Sequence, residues 1–360
     1  MSIRISGLSI CLFVLLVVDA GLTSLRSVQS ISFSSNHLCP NYELTESYVL
    51  RDENQIAQNL RETAALVGLR SGFGAYLAPR GVYPIGPETF GIEAGTSITI
   101  DFGVYYFSDQ TDELDVRFLA LLDEEQINIG ETDSDMPYHD VVLRSEEPTL
   151  FAFMLPPLAS GIYDLVVVGI PNIDTIPEHG DMTNIMSLTR RISLVVGDET
   201  IATGKERSFT PAPAAVLRND FSGYYLFGFH LDDSRLWWSY PEPSLPVSAG
   251  SAFGFNVKTG YLGSPPTSNV ERIALTLFVD YEQRSIDTEN QVLFLEIGES
   301  TAYTQIPITL TAPEETGRHD ILVLRITNPG VPRCIQLNTP EGTAHWYQAI
   351  GDRVSIDVQD

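Results

Sequence analysis

The sequence predicts an all-β protein built of two tandem antiparallel β-sandwiches derived from an internal duplication. Three observations predict it. The stretch Gly161-Ile-Tyr-Asp-Leu-Val-Val-Val-Gly-Ile-Pro171 is nearly restated at Gly317-Arg-His-Asp-Ile-Leu-Val-Leu-Arg-Ile-Thr327. Further matching segments flank both copies in the same order. Within them apolar and polar residues alternate, which puts one set of side chains on one face of a pleated strand.

The correspondence covers almost the whole chain, as expected of a repeat of domain size. Ala94-Gly-Thr-Ser-Ile-Thr-Ile-Asp-Phe102 answers Ala249-Gly-Ser-Ala-Phe-Gly-Phe-Asn-Val257, with Ile98, Ile100 and Phe102 matching Phe253, Phe255 and Val257. Val116, Phe118, Ala120 and Leu122 match Ile273, Leu275, Leu277 and Val279, and each run stops at an aspartate, Asp123 or Asp280. Leu150, Ala152 and Met154 match Ile306, Ile308 and Leu310; the closing strands pair Ile192, Leu194 and Val196 with Val354, Ile356 and Val358. Gly, Pro, Asn and Asp separate the runs, which is turn chemistry.

Taken from the N-terminus, Arg4 followed by Ile10-Cys-Leu-Phe-Val-Leu-Leu-Val-Val18 and the small residues near Ala20 reads as a secretory signal over residues 1–20. Its apolar core is short for a membrane span of about 20 residues, and no other run approaches that length. The mature chain is therefore expected outside the cytoplasm, without a stable membrane span. Residues 21–67 form an N-terminal segment in which Ile56, Leu60, Ala64 and Val67 stand at helical spacing, predicting a helix over 53–67. Ala64-Ala-Leu-Val67 also resembles Ala214-Ala-Val-Leu217, so the end of that stretch reads equally as an extended lead-in. The first sandwich is expected over 68–197, a polar, proline-containing linker over 198–213, and the second sandwich over 214–360.

Composition narrows the function. Net charge is −26, with the acidic residues dispersed, so no basic stripe exists to neutralise phosphates and nucleic acid is not an expected partner. Hydrophobic content of 43% is ample for two cores. Cys39 and Cys334 remain after signal removal and, in an oxidising compartment, are candidates for a disulfide. Closing so long a loop would constrain the unfolded chain by roughly 5 kcal/mol.

The pattern of Ala-Gly, alternating strand, apolar run to Asp, then Pro-x-x-x-Gly-x-x-Asp and a final strand resembles bacterial surface immunoglobulin-like modules. It is carried by Pro157 to Val168 and Pro313 to Leu324. It is most similar to the cell-adhesion-related domain of bacteria and to fibronectin type III repeats. The resemblance implies immunoglobulin-like sandwiches used in extracellular scaffolding, adhesion or attachment to enzymes. It supplies no catalytic residues.

Long connections between the last two strands of each copy, 172–189 and 328–351, are the candidate binding surface, since long loops on compact domains tend to carry function. Each would leave the same end of its own sandwich. The residues offered for contact are Glu178, His179, Asp181, His345, Trp346 and Tyr347. For a glycan, Trp238 and Trp346 offer flat rings for stacking. Asp133, Asp135 and Asp140 are a weak calcium candidate, lacking the spaced glycine and terminal Glu of a full loop. The six histidines show no zinc or haem spacing, and no nucleophile elbow occurs, so neither a cofactor nor catalysis is expected. The expected role is a secreted or cell-surface structural and interaction protein; a carbohydrate-binding accessory protein is the alternative and an extracellular hydrolase the third reading. The expected partner is an unidentified protein or glycan at the cell envelope, and edge strands leave homo-oligomer formation open.

Overall fold

A computed structural model describes residues 71–82, 84–86, 88–108, 111–129, 136–175, 188–198, 204–213, 227–230, 244–261, 270–287, 290–298, 303–332 and 349–360. The signal segment 1–20, the segment 21–67 with its expected helix 53–67, and both mature cysteines, Cys39 and Cys334, lie outside the described residues.

The first half contains β1 (Ser71–Pro79), β2 (Pro84–Gly86), β3 (Thr89–Ile92), β4 (Ile98–Ser108), β5 (Glu113–Leu122), β6 (Glu125–Ile127), β7 (Tyr138–Arg144), β8 (Pro148–Leu155), β9 (Gly161–Pro171) and β10 (Leu188–Val196). They form a three-stranded sheet in the order β1-β4-β8 and a seven-stranded sheet in the order β2-β3-β10-β9-β5-β6, with β7 also on β5. The second half contains β11 (Thr210–Pro211), β12 (Phe227–His230), β13 (Ser244–Ser248), β14 (Ala252–Gly260), β15 (Val270–Val279), β16 (Glu282–Arg284), β17 (Val292–Gly298), β18 (Tyr303–Thr311), β19 (Gly317–Thr327) and β20 (Ala349–Gln359). Its sheets run β12-β14-β18 and β11-β17-β15-β19-β20-β13, with β16 on β15. Apart from β2 and β11, which have no counterparts, the halves match strand for strand, an all-β pair of immunoglobulin-like sandwiches from an internal duplication. No helix occurs among the described residues.

Pairing is antiparallel except at the sheet margins, where β3 lies parallel to β10, β13 parallel to β20, and β11 parallel to β17. The last of these is linker sequence, so the chain between the sandwiches docks as an edge strand of the second one. The alternation read from the sequence fills the interiors, with Ile100, Phe102, Phe118, Leu165 and Leu194 in the first and Phe255, Val257, Leu275, Val323 and Ile356 in the second. β8 is the exception: Phe151, Phe153 and Leu155 face inward opposite Phe102, Ile100 and Ile98 and answer Ile306, Ile308 and Leu310, whereas Ala152 and Met154 are exposed, so the match of Leu150, Ala152 and Met154 is one residue out of register.

The aspartates that stop β5 and β15 make tight turns. Asp123-Glu124 has φ of 49° and 66°, Asp280-Tyr281 has 50° and 68°, and the flanking residues Leu122 and Glu125, Val279 and Glu282 pair directly. Two positive-φ residues in a two-residue loop are the hairpin geometry that matches strand twist. Aspartate suits the position because its carboxylate accepts from a backbone N–H of the neighbouring strand: Asp164 N donates to Asp123 Oδ1 at 2.9 Å, and Asp320 N to Asp280 Oδ1 at 3.0 Å.

A third apolar cluster lies between the sandwiches. Leu119, Leu121, Val166, Val168 and Ile170 of the first half meet Ala274, Phe278, Tyr281, Leu322, Leu324 and Ile326 of the second. The outward faces of the two large sheets are therefore buried against each other. This explains why the middles of β9 and β19, Leu165–Val168 and Ile321–Leu324, are apolar without alternation: a strand covered on both faces loses its period of two.

Candidate functional site

Around that apolar centre the interface carries a duplicated polar set, and equivalent residues do equivalent work. Arg191 on β10 reaches Asp164 Oδ2 at 2.6 Å and donates to the carbonyls of Thr327 at 2.5 Å and Asn328 at 3.0 Å, across the interface. Its counterpart Arg353 on β20 lies 3.5 Å from Asp320 Oδ2 and donates across to the carbonyls of Asn172 at 3.1 Å and Thr175 at 3.3 Å. Ser355 donates to Asp320 Oδ1 at 2.5 Å, and Ser193 stands 3.5 Å from Asp164 Oδ1. The arrangement is an approximate two-fold: each half presents the same surface to the other, as in an isologous dimer.

The two halves are antiparallel across this axis. Arg191 is the register partner of Val166, six residues before Asn172, and Arg353 that of Leu322, six residues before Asn328. Because Arg191 touches Asn328 and Arg353 touches Asn172, those two asparagines lie about 20 Å apart along the strand direction. The long connections read as 172–189 and 328–351 end sooner than the sequence suggests, where β10 begins at Leu188 and β20 at Ala349; they begin at the same end of their respective sandwiches, but the sandwiches point opposite ways. Their roots therefore leave the block at opposite ends.

Both roots are built alike. Asn172 and Asn328 adopt positive φ, 54° and 47°, and their N–H groups donate to the equivalent carbonyls of Asp115 and Arg272. Asn172 O then accepts from Thr175 N at 3.0 Å, and Asn328 O from Val331 N at 3.3 Å. The copies differ in what else holds them. The first root takes a second arginine, Arg318, on the carbonyls of Ile173 at 3.2 Å and Thr175 at 2.9 Å. The second root donates Gly330 N to Asp164 Oδ2. Gly330, at φ 77°, lies so close to the linker residue Arg207 that an added Cβ would stand 2.5 Å from Nη1.

The linker is strapped to the first half. Arg207 lies 2.9 Å from Glu124 and 3.2 Å from Asp123, and Lys205 2.6 Å from Glu125. Burial raises the Glu124 carboxyl to about 7 even though the Arg207 charge and hydrogen bond pull it down. In the second half the equivalent turn meets His319, whose Nδ1 lies 2.6 Å from Asp280 Oδ2 and whose Nε2 lies 2.8 Å from the Glu315 carbonyl. Burial works to lower this imidazole, but the hydrogen bonds to Asp280 and Glu315 outweigh it and its pKa is raised. Arg117 completes the rim, with its guanidinium 3.8 Å from the Tyr138 ring centre and 4.6 Å from that of Tyr281 in the other half.

Glu178, His179, Asp181, His345, Trp346, Tyr347, Trp238, Asp133 and Asp135 lie outside the described residues. Of the calcium candidates Asp140 is described, and both of its carboxylate oxygens face Arg117, at 2.7 and 2.6 Å. His139 packs on Phe151 with ring centres 4.8 Å apart. Among the described residues no group of three His, Cys, Asp or Glu side chains is placed to hold a metal ion. The interface residues that sequence reasoning passed over are Arg191, Arg318 and Arg353, whose partners across the interface are backbone carbonyls.

No family model matches the chain, and no curated protein matches it. Among solved structures it is similar to a CARDB domain from Pyrococcus furiosus crystallised in complex with di-metal ions, at 12% identity, over 35% of this chain and 89% of that one, with a TM-score of 0.24. It is also similar to fibronectin(III)-like modules of Clostridium thermocellum CbhA, at 14% identity, over 79% and 94%, TM-score 0.19. The native conformation of Escherichia coli alpha-2-macroglobulin matches at 10% identity over 79% of this chain and 17% of that one, TM-score 0.22. The immunoglobulin-like assignment rests on the strand order and register given above.

Proposed function

We propose that the protein is a secreted or cell-surface, non-catalytic interaction protein that meets its partners through the connections 172–189 and 328–351. The observation that carries this reading is the reciprocal fastening of their roots: each is gripped by a buried arginine of the opposite sandwich. A fold that commits buried charge to holding a loop's first residues presents that loop on a rigid base, as binding loops require. Because the roots leave at opposite ends, the protein offers two surfaces, one at each pole, to a protein or glycan of the cell envelope. Secretion is supported by the apolar stretch Ile10 to Val18 behind Arg4. The absence of catalysis is supported by the described acidic groups, since Asp164 and Asp320 serve arginines, serines and backbone amides of the interface.

The test replaces residues 176–187, residues 335–347, or both by short Gly-Ser linkers in the full chain. Crosslinking capture from the native cell envelope should fall in each single replacement and vanish in the double, while thermal unfolding shifts little. Undiminished capture by the double replacement defeats the assignment. N-terminal sequencing of the protein recovered from the envelope fraction checks the export step, with a start near residue 21 expected.

A further inference from the structure

We infer that Arg191 and Arg353 are positioning residues that act crosswise: each sets the root of the long connection belonging to the other sandwich. The inference rests on the reading of those connections as binding loops. It adds that neither loop is a property of its own domain.

Both arginines sit on the interface face of a central strand and are almost wholly excluded from solvent. Each has a carboxylate of its own half on one side, Asp164 at 2.6 Å or Asp320 at 3.5 Å. Each also spends guanidinium N–H groups on two carbonyls of the opposite half. Those carbonyls lie at and just past the ends of β9 and β19; Thr327 and Asn328 are buried, and Asn172 and Thr175 stand at the part-buried margin. The planar fork of arginine supplies several donors in a fixed geometry, which a lysine ammonium does not. Asn172 O closes its own turn on Thr175 N, so Arg353 clamps a turn already formed; Asn328 O closes on Val331 N, and Arg191 does the same there. The pairing is reciprocal and repeats across the approximate two-fold. One half separated from the other therefore loses the donors that fix its loop root. Arg318 adds a second donor to the first root alone, from the rim of the interface.

The experiment measures amide hydrogen exchange in the full chain, on peptides spanning 170–176 and 326–332, with thermal unfolding as the control for integrity. Arg353→Lys should raise exchange in 170–176 about tenfold and leave 326–332 unchanged, as expected for loss of one or two net hydrogen bonds. Arg191→Lys should do the reverse. If either buried variant fails to fold, Arg318→Gln, at the part-buried rim, should raise exchange in 170–176 alone. A rise confined to the variant's own half, an equal rise in both peptides, or no rise overturns the inference. A merely structural role predicts a uniform rise and not the crosswise pattern. Failure of the loop reading is distinguishable: crosswise exchange with undiminished capture by the loop replacements retains the positioning and removes the binding role. Lost capture with unchanged exchange does the opposite.

Discussion

Gln126 and Gln283 hold each other by the same bond in both directions: Gln126 N donates to Gln283 Oε1, and Gln283 N to Gln126 Oε1, each at 2.7 Å. They are equivalent residues of the two copies, one past the end of each tight turn, so the approximate two-fold axis passes between them. Their side-chain amides also donate across the interface, Gln126 Nε2 to Tyr281 O and Gln283 Nε2 to Glu124 O. Gln126→Ala should destabilise the protein by about 2 kcal/mol, because it removes several part-buried bonds and leaves their partners unsatisfied. In a double-mutant cycle with Gln283→Ala, urea denaturation should return a coupling of about 1 kcal/mol. Strict additivity of the two substitutions would show that the residues do not act as a pair.

The apolar centre of the interface should decide the shape of the molecule. Phe278 is fully buried among the cluster that joins the halves. Phe278→Asp puts an unpaired charge there, which cannot be accommodated without parting the sheets. In small-angle scattering the native body, about 290 residues without its N-terminal segment, should give a radius of gyration of about 19 Å. The variant should expand well beyond that while keeping its β-sheet circular dichroism. An elongated native particle would mean that the sandwiches are strung end to end rather than stacked.

Stability should fall as the solution is made more alkaline, through two groups of the same sign. Burial, opposed by Arg207, lifts Glu124 from an ordinary value of 4.5 to about 7, so the folded state holds a proton that the unfolded chain has released. Its contribution is present below 4.5 and is lost as the pH climbs to about 7. His319 is raised from 6.5 because both ring nitrogens face acceptors and only the imidazolium donates twice. Its contribution is present below 6.5 and disappears as the pH rises through the higher folded value. Melting temperatures across pH 4.5 to 8.5 check this. Glu124→Gln should flatten the acidic part of the slope and His319→Gln the alkaline part. A stability that climbs over this range in the native protein would contradict both assignments.

Much of this architecture is legible in the amino-acid sequence. Val116 to Leu122 and Ile273 to Val279 align because burial in a sandwich fixes the parity of a strand, and the stops at Asp123 and Asp280 mark turns that do form. The interface is only half legible. Leu119 and Leu121 stand at outward positions of β5 yet are apolar, and Leu322, Leu324 and Ile326 do the same in β19; this announces a second covered face without saying what covers it. The parallel margins at β3, β11 and β13 are hidden because short edge strands carry no period. The crosswise arginines are hidden for a different reason: their partners are backbone carbonyls in the other copy, and a carbonyl leaves no trace in a sequence.

The two cores should differ in one layer, where the copies have diverged. In the second sandwich Arg325 is fully buried, 2.6 Å from Glu271 and donating to Thr259 Oγ1 and the Gly260 carbonyl at 2.8 Å each. The register places Gly169, Leu114 and Val104 at the corresponding positions of the first, where the Phe118 ring fills the space over Gly169: a Cβ there would meet it at 2.5 Å. The Arg325 stem thus takes volume that an aromatic ring takes in the first copy, and its charge then requires Glu271. Removing one partner strands the other, so Glu271→Leu alone should cost about 3–5 kcal/mol. Pairing it with Arg325→Met exchanges the ion pair for an apolar layer like that of the first half and should recover most of the loss, because a buried pair gains little over hydrophobic replacement. Urea denaturation of the two single variants and the double one decides the matter. A double variant as unstable as the sum of the singles would mean that the pair specifies the second core rather than substituting for the packing of the first.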